Sequence, residues 1–118
     1  MAFSDIMKQV VNGTEGALGA LVVGLDGIPV EEYSVSSEID LQSMTVEYST
    51  LLKEIEKGSQ ISDLGTTKEV TVIADQAMIM LRRLNAEYFF VLVLKPEGNF
   101  GKGRFLLRMS VPKLLKEF

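Results

Sequence analysis

The fold is decided by the stretch YFFVLVLKPEGNFGKGRFLLR, residues 88–108. Its first part, Tyr88 to Leu94, is apolar at every position, so a strand formed by these residues would bury side chains on both faces. Such a strand belongs in the middle of a sheet that is covered on both sides. The segment Lys95-Pro96-Glu97-Gly98 ends it, and a helix is expected from about Gly101.

Working outward toward the N-terminus, the chain shows a short helix and a hairpin. An apolar face over residues 3–10 predicts an amphipathic helix with Ser4 as its N-cap and Asn12-Gly13 as its end. The run Leu18 to Leu25 is apolar on both faces and predicts a second covered strand. Asp26-Gly27 predicts a type I′ turn, and Pro29 indicates that the next strand, up to Tyr33, lies at an edge.

A long helix is predicted in the middle of the chain. Ser37 to Asp40 resembles a capping box, and Gly58 is the expected residue after the helix end. The predicted core stripe consists of Leu41, Met44, Tyr48, Leu51, Leu52 and Ile55. Three strands should follow, at residues 69–74, 77–84 and 88–94.

The predicted element order is α-β-β-α-β-β-β-α in one domain spanning residues 1–118. Short connections favour antiparallel pairing, and the doubly apolar strands require helices on both faces. The sequence therefore predicts an α/β/α sandwich with a five-stranded, mostly antiparallel sheet. In the last helix the core stripe is Leu107, Val111, Leu114 and Phe118, and Pro112 predicts a kink or break near Ser110.

Composition excludes several kinds of chemistry. The 118 residues include no His, Cys or Trp, and the net charge is −4. Metal sites built on imidazole or thiolate, disulfides and Ser-His-Asp or Cys-His nucleophiles are therefore excluded. The acidic balance argues against nucleic acid as a partner. No apolar run approaches the roughly 20 residues that span a membrane, so we expect a cytoplasmic protein with no membrane insertion, metal or cofactor.

The glycine-rich segment GNFGKGR, residues 98–104, has the layout of a phosphate-binding loop. A P-loop reads G-x-x-x-x-G-K-[ST], but here only Asn99 and Phe100 separate the first two glycines. Gly103 also replaces the hydroxyl that would hold Mg²⁺. The favoured interpretation is a tight strand-to-helix crossing that needs glycine for backbone reasons. Anion binding at the start of the helix stays open as the alternative.

Two surfaces are candidates for contacts with a partner. Basic residues gather on the last helix, where Arg104 and Arg108 are i, i+4 neighbours; a solvated face is the favoured interpretation and an acidic partner the alternative. Opposite the core stripe of the long helix, Val46, Thr50 and other small or apolar residues interrupt the expected charged face. A partner or dimer face and scattered surface apolar residues explain that pattern equally well.

The segment EGNFGKGRFLLR, residues 97–108, resembles the G-N-x-G-x-x-R segment of bacterial roadblock-type proteins, the relatives of the gliding protein MglB and of the roadblock dynein light chains. The resemblance extends over nearly the whole chain. It implies a roadblock fold of the profilin/longin type and a homodimer that pairs its long helices and joins its third strands, here Val70 to Ile73. Family members bind small Ras-like GTPases. Those of the MglB branch stimulate GTP hydrolysis without an arginine finger, and others are scaffolds.

The resemblance leads to one main functional hypothesis and three alternatives. The main one is a homodimeric regulator that binds the switch regions of a small Ras-like GTPase and has no active site of its own. The alternatives, in falling order, are a dimeric scaffold or adaptor for GTPase or motor complexes, an anion sensor, and an enzyme. The expected partner contacts are Gln42, Val46, Ser49, Thr50 and Lys53. The expected dimer contacts are Ile39, Ser43, Val70 and Val72, and Lys102, Arg104 and Arg108 are candidate anion or partner contacts.

Overall fold

Five antiparallel strands form one sheet in the computed structural model, which describes residues 2–36 and 39–118. The strands are β1 (Ala17–Gly24), β2 (Pro29–Ser34), β3 (Glu69–Ile73), β4 (Met78–Arg83) and β5 (Tyr88–Leu94), and the helices are α1 (Phe3–Asn12), α2 (Leu41–Ile61) and α3 (Phe100–Leu115). The order across the sheet is β2-β1-β5-β4-β3. The predicted sandwich is therefore confirmed, with β5 at the centre and β2 and β3 at the two edges.

The sheet separates two hydrophobic cores. Alternate residues of β5 point to opposite faces, so Phe90 and Leu92 pack with α1 and α3, whereas Phe89 and Val91 pack with α2. All four of these side chains are buried. The continuous apolar run of β5 is thus explained, because both of its faces are covered by helices. No helix of the described residues is long and apolar enough to cross a membrane.

The β1–β2 hairpin uses a different turn from the predicted one. Gly27 has a φ of 86°, and Asp26 does not share the positive φ that a type I′ turn requires at both central positions. The Gly27 amide donates to the Gly24 carbonyl at 2.9 Å, and the Gly24 amide donates to Ile28 at 3.0 Å. The loop is therefore a three-residue one, with a tight turn followed by a left-handed glycine. The Asp26 carboxylate stabilises it by accepting the Ile28 amide at 2.9 Å.

Two predicted helix starts are corrected. Helix α1 begins after Ala2, with no side-chain cap, so Ser4 lies inside the first turn. Helix α2 begins after Asp40, whose side chain accepts the Ser43 amide. The predicted capping box includes Ser37 and Glu38, which lie outside the described residues.

Two predicted helix ends are also corrected. Helix α2 continues through Gly58 to Ile61, and Asp63 instead takes the left-handed backbone that follows the helix. The Gln60 amide group donates to Glu56 at 3.1 Å across this last turn, which helps offset the helix cost of glycine. Helix α3 is continuous through Pro112, and the Ser110 hydroxyl donates to the Leu107 carbonyl at 2.7 Å rather than capping a new turn.

Candidate functional site

Helix α2 is fixed to the sheet by a narrow strip of side chains, so most of its surface stays exposed. The buried residues are Leu41, Thr45, Ser49 and Leu52. At its start, the Asp40 carboxylate accepts the Ser43 hydroxyl at 2.8 Å and the Ser43 amide at 3.2 Å. These hydrogen bonds, led by the one from the hydroxyl, lower the pKa of Asp40. The start of α2 is thus held by a charged cap.

The side of α2 that faces β2 carries most of the residues predicted to contact a partner. Gln42 donates its side-chain amide to Glu32 of β2 at 2.9 Å. Val46 is 52% exposed beside the hairpin turn, where a Cβ built on Gly27 would lie 3.8 Å from the Val46 Cα. Thr50 and Lys53 are exposed farther along the helix. The structure thus places Gln42, Val46, Thr50 and Lys53 on one exposed surface, which we call the α2 face.

Ser49, the remaining residue predicted to contact a partner, lies beneath this surface. It is only 4% exposed, and its hydroxyl donates to the Val46 carbonyl at 2.8 Å. A Cβ built on Gly27 would lie 3.2 Å from the Ser49 oxygen. The Ser49 side chain therefore supports the hairpin turn and is covered by it.

The hairpin adds two apolar residues that the sequence interpretation did not include. Ile28 is 64% exposed and Val30 is 42% exposed. Both follow Gly27, which packs against Val46. The sequence predicts a strand after the Asp26-Gly27 turn, and the exposure of Ile28 and Val30 depends on how the hairpin sits beside α2. In the sequence, the one indication of this exposure is that Ile28 follows a turn and Val30 belongs to a predicted edge strand. Val30 lines one groove with Glu32 and Gln42, so the hairpin adds apolar surface beside the α2 face.

The opposite side of α2 is apolar as well and looks toward β3. Because Gln42 and Val46 face β2, helical spacing directs Met44, Tyr48, Leu51 and Ile55 the other way. We call these four residues the β3-side flank. Met44 and Tyr48 are partly buried on the core, but Leu51 is 44% exposed, so its assignment to the core stripe was wrong.

Three of the four residues predicted to form the dimer interface lie on the same side of the sheet as the β3-side flank, and the fourth, Ser43, does not. Val70 and Val72 of β3 are half-buried on the same side of the sheet as the β3-side flank. Ile39 packs against the same core just before α2. Ser43 points away from the flank and is bonded to Asp40.

Strand β3 is an open edge whose free backbone groups can be assigned. The backbone amide of Arg83 donates to the Lys68 carbonyl, and the backbone amide of Ala74 donates to the Ala77 carbonyl. In an antiparallel pair, every second residue is hydrogen-bonded to the partner strand, so these two bonds show which residues of β3 bond to β4. Val70 and Val72 therefore pair with β4. The amides and carbonyls of Glu69, Thr71 and Ile73 point outward, away from the sheet.

Solved structures with this architecture identify the family. The roadblock/LC7 domain from Streptomyces avermitilis matches with a TM-score of 0.84 at 14% identity, covering 97% of this chain and 95% of that one. Myxococcus xanthus MglB matches with a TM-score of 0.84 at 11% identity, covering 98% and 96%. MglC from Myxococcus xanthus is 39% identical over 100% of both chains, with a TM-score of 0.72.

The chain belongs to the roadblock family. The resemblance to bacterial roadblock proteins of the MglB-like branch is thus confirmed, although no protein-family model and no curated protein sequence matches the chain. The identity values add a distinction within the branch, because this roadblock protein shares far more sequence with MglC than with MglB.

The cations on α3 of this roadblock chain differ in how firmly they are held. Arg104 donates to the Glu69 carboxylate at 2.6 Å, and Arg82 reaches the other oxygen of that carboxylate at 3.3 Å. Arg104 is therefore tied to the edge strand, which is a poor arrangement for an arginine that must reach into another protein. Lys102 and Arg108 are exposed.

The segment GNFGKGR is the crossing from β5 to α3. A Cβ built on Gly16 would lie 2.6 Å from the Gly98 Cα, and one built on Gly103 would lie 3.0 Å from the Thr14 side chain. These glycines let the loop and the helix approach the sheet closely. The Asn99 side chain accepts the Lys102 amide at 3.1 Å, and its carbonyl accepts the Gly103 amide at 3.0 Å. The amides of Lys102 and Gly103, which an anion at the helix start would use as donors, are therefore already hydrogen-bonded to Asn99.

Proposed function

We propose that the protein is a homodimeric adaptor in an Mgl-type system built around a small Ras-like GTPase. Its α2 face binds the protein partner, and the chain contributes no catalytic group. The observation that carries this proposal is the exposed apolar side chain of Val46 on the α2 face, next to the hairpin that exposes Ile28 and Val30. Exposed apolar surface of this kind, with polar residues at its rim, is typical of protein-binding sites.

The chemistry of the α2 face supports binding rather than catalysis. Gln42 is engaged with Glu32, and Thr50 and Lys53 offer a hydroxyl and an ammonium group to a partner. Arg104, a candidate anion or partner contact, lies on the opposite side of the sheet and is paired with Glu69. A partner on the α2 face would therefore meet a shaped surface and hydrogen-bonding groups, and it would have to supply any chemistry itself.

The homodimer in this proposal joins the β3 strands of two protomers. The outward amides and carbonyls of Glu69, Thr71 and Ile73 form an unpaired edge of the kind that templates pairing with another strand. The exposed Leu51 on the β3-side flank and the half-buried Val70 and Val72 lie on one side of that edge. A second copy would cover these apolar groups while it completes the hydrogen bonds.

The sequence comparison favours the adaptor over an activator of GTP hydrolysis. The family resemblance implies stimulation of GTP hydrolysis for members of the MglB branch. This chain, however, is only 11% identical to MglB of Myxococcus xanthus. It is 39% identical to MglC of the same organism. Activation remains the second candidate because the chain shares its fold with MglB. It would work by reshaping the switch regions of the GTPase.

One experiment separates the two candidates. The purified protein is titrated with the Ras-like GTPase and with the MglB-type protein of its own genome, and single-turnover GTP hydrolysis is measured in parallel. The adaptor predicts saturable binding to one of these proteins with a hydrolysis rate changed less than about twofold. An activator would raise the rate by orders of magnitude, as GTPase-activating proteins do by up to about 10⁵-fold. Absence of binding to either protein would refute both candidates.

A further inference from the structure

Helix α3 exposes a second apolar site, on the side of the sheet opposite α2. Phe105 and Met109 are each 56% exposed, although both are large apolar residues and both belong to a regular helix. They stand one turn apart, so they form one patch. With Arg82 and Arg108 they line a pocket of about 280 Å³. We call these four residues the α3 pocket.

The electrostatics of the α3 pocket are opposite to those of the chain. The protein carries a net charge of −4, but helix α3 contains Lys102, Arg104, Arg108 and Lys113 and no acidic residue. Glu69 pairs with Arg82 and Arg104. None of the ion pairs among residues 2–36 and 39–118 includes Arg108. The pocket therefore combines apolar walls with a cation that is free to pair.

The size of the pocket indicates what kind of group it accepts. Sites that bury a drug-sized ligand usually measure about 300–1,000 Å³, so 280 Å³ suits one large side chain better than a cofactor. A membrane surface fits less well, because the main apolar stripe of α3, Leu107 and Leu114, is already buried in the core. The apolar residues that α3 leaves exposed, Phe105 and Met109, border a concave pocket, whereas a membrane presents a flat surface.

We propose that the α3 pocket binds an acidic segment of a partner protein, with one large apolar side chain in the pocket and a carboxylate on Arg108. The α2 face and the α3 pocket lie on opposite sides of the sheet, so both can be occupied at once. This gives an adaptor its second docking surface. The inference does not depend on which protein occupies the α2 face.

The test uses a fluorescein-labelled peptide of about 18 residues, which is long enough to populate a helix. Leucine at i, i+3, i+4 and i+7 spacing forms its apolar face, and glutamate occupies the positions beside that face. A matched peptide carries lysine in place of every glutamate. Fluorescence anisotropy against the full-length protein should show saturable binding of the acidic peptide, which weakens as salt rises. The lysine peptide should bind at least about tenfold more weakly, the size of effect that like-charge contacts impose.

Three variants locate the binding. Phe105→Ser and Arg108→Glu should each weaken binding of the acidic peptide by about tenfold or more, as central anchors of an interface do. Lys113→Glu makes the same charge change elsewhere on α3 and should alter binding less than about twofold. Val46→Asp should leave peptide binding unchanged, which distinguishes this site from the α2 face.

Several outcomes would overturn the proposal. They are the absence of saturable binding, equal binding of the two peptides, and a Phe105→Ser protein that binds normally. Vesicles containing phosphatidylglycerol test the alternative occupant, a membrane surface. If they bind the protein, lose that binding in Phe105→Ser and Arg108→Glu, and the acidic peptide does not bind, the pocket serves a membrane and the proposal is wrong. Thermal unfolding of each variant confirms that these surface changes leave the fold intact.

Discussion

Replacing Thr71 with proline tests the dimer that is proposed at the β3 edge. The Thr71 amide points outward, so Thr71→Pro removes no hydrogen bond to β4, and edge strands accept proline at such positions. In a symmetric dimer, each protomer loses one donor. At about 0.5–1.5 kcal/mol for each hydrogen bond, the dimer loses about 1–3 kcal/mol. That free energy raises the dimer dissociation constant about 5- to 150-fold.

Sedimentation equilibrium over a dilution series measures that constant. Thr71→Val is the matched control, because it keeps the amide and the β-branched shape and should leave the dissociation constant unchanged. Val72→Pro is the opposite control, because the Val72 amide faces β4 and its loss should destabilise the fold itself. If Thr71→Pro folds normally and dimerises as tightly as the unaltered protein, the β3 edge does not form the dimer.

Three further predictions follow from contacts within one protomer. Hydrogen bonds from the Thr67 amide and hydroxyl, then from Gln60, with the charge of Arg83, lower the pKa of Glu56 from 4.5 to about 2. The stabilisation is thus present above pH 4.5 and is lost as the pH falls toward 2. Urea unfolding across that range should show a smaller loss of stability in Glu56→Gln. Gly103→Val should destabilise the fold by about 1–3 kcal/mol, because its Cβ is already close to the Thr14 side chain. A Cβ at Gly101 would meet only the Asn99 side-chain oxygen, at 3.9 Å, so Gly101→Val should change the free energy of unfolding by less than about 0.5 kcal/mol; equal effects would contradict the crossing interpretation. If the protein does stimulate GTP hydrolysis, Arg104→Ala should reduce the stimulated rate less than about twofold, whereas loss of an arginine finger costs about 10³- to 10⁵-fold.

The parts of the fold that local pattern determines could be predicted from the sequence. Residues Tyr88–Leu94 form β5 with the predicted boundaries, because a short apolar run of aromatic and branched residues is typical of a strand covered on both faces. The edge position of β2 followed from Pro29, since proline cannot donate to a ladder.

Features that depend on tertiary contacts could not be predicted in this way. Gly58 looked like a helix end, but the bonds that Glu56 makes to Thr67 and Gln60 extend α2 by another turn. Leu51 fits the periodicity of a core stripe, yet its burial depends on how far α2 sits from β3, which no local pattern reports. The turn at Asp26-Gly27 follows from the register of β1 and β2, which shifts between Val22 and Val23.

The same limit applies to the candidate site. Val46 and Thr50 stood out because apolar and small residues interrupted a face expected to be charged. Ser49 is among the expected partner contacts but is covered by the hairpin at Gly27, a contact between segments far apart in the chain. Ile28 and Val30 lie in the hairpin that makes that same contact. Sequence periodicity therefore located the helix face, and the hairpin determined its extent.

The most direct test of the account is the affinity of the Val46→Asp protein for the partner that the unaltered protein binds. Val46 is at the centre of the α2 face, and a buried unpaired carboxylate there should weaken binding by at least about tenfold while the dimer persists. Ile61→Asp places the same carboxylate on an exposed apolar position near the end of α2 and should leave the affinity within about twofold. A Val46→Asp dimer that binds as tightly as the unaltered protein would contradict the assignment of the α2 face as the binding surface.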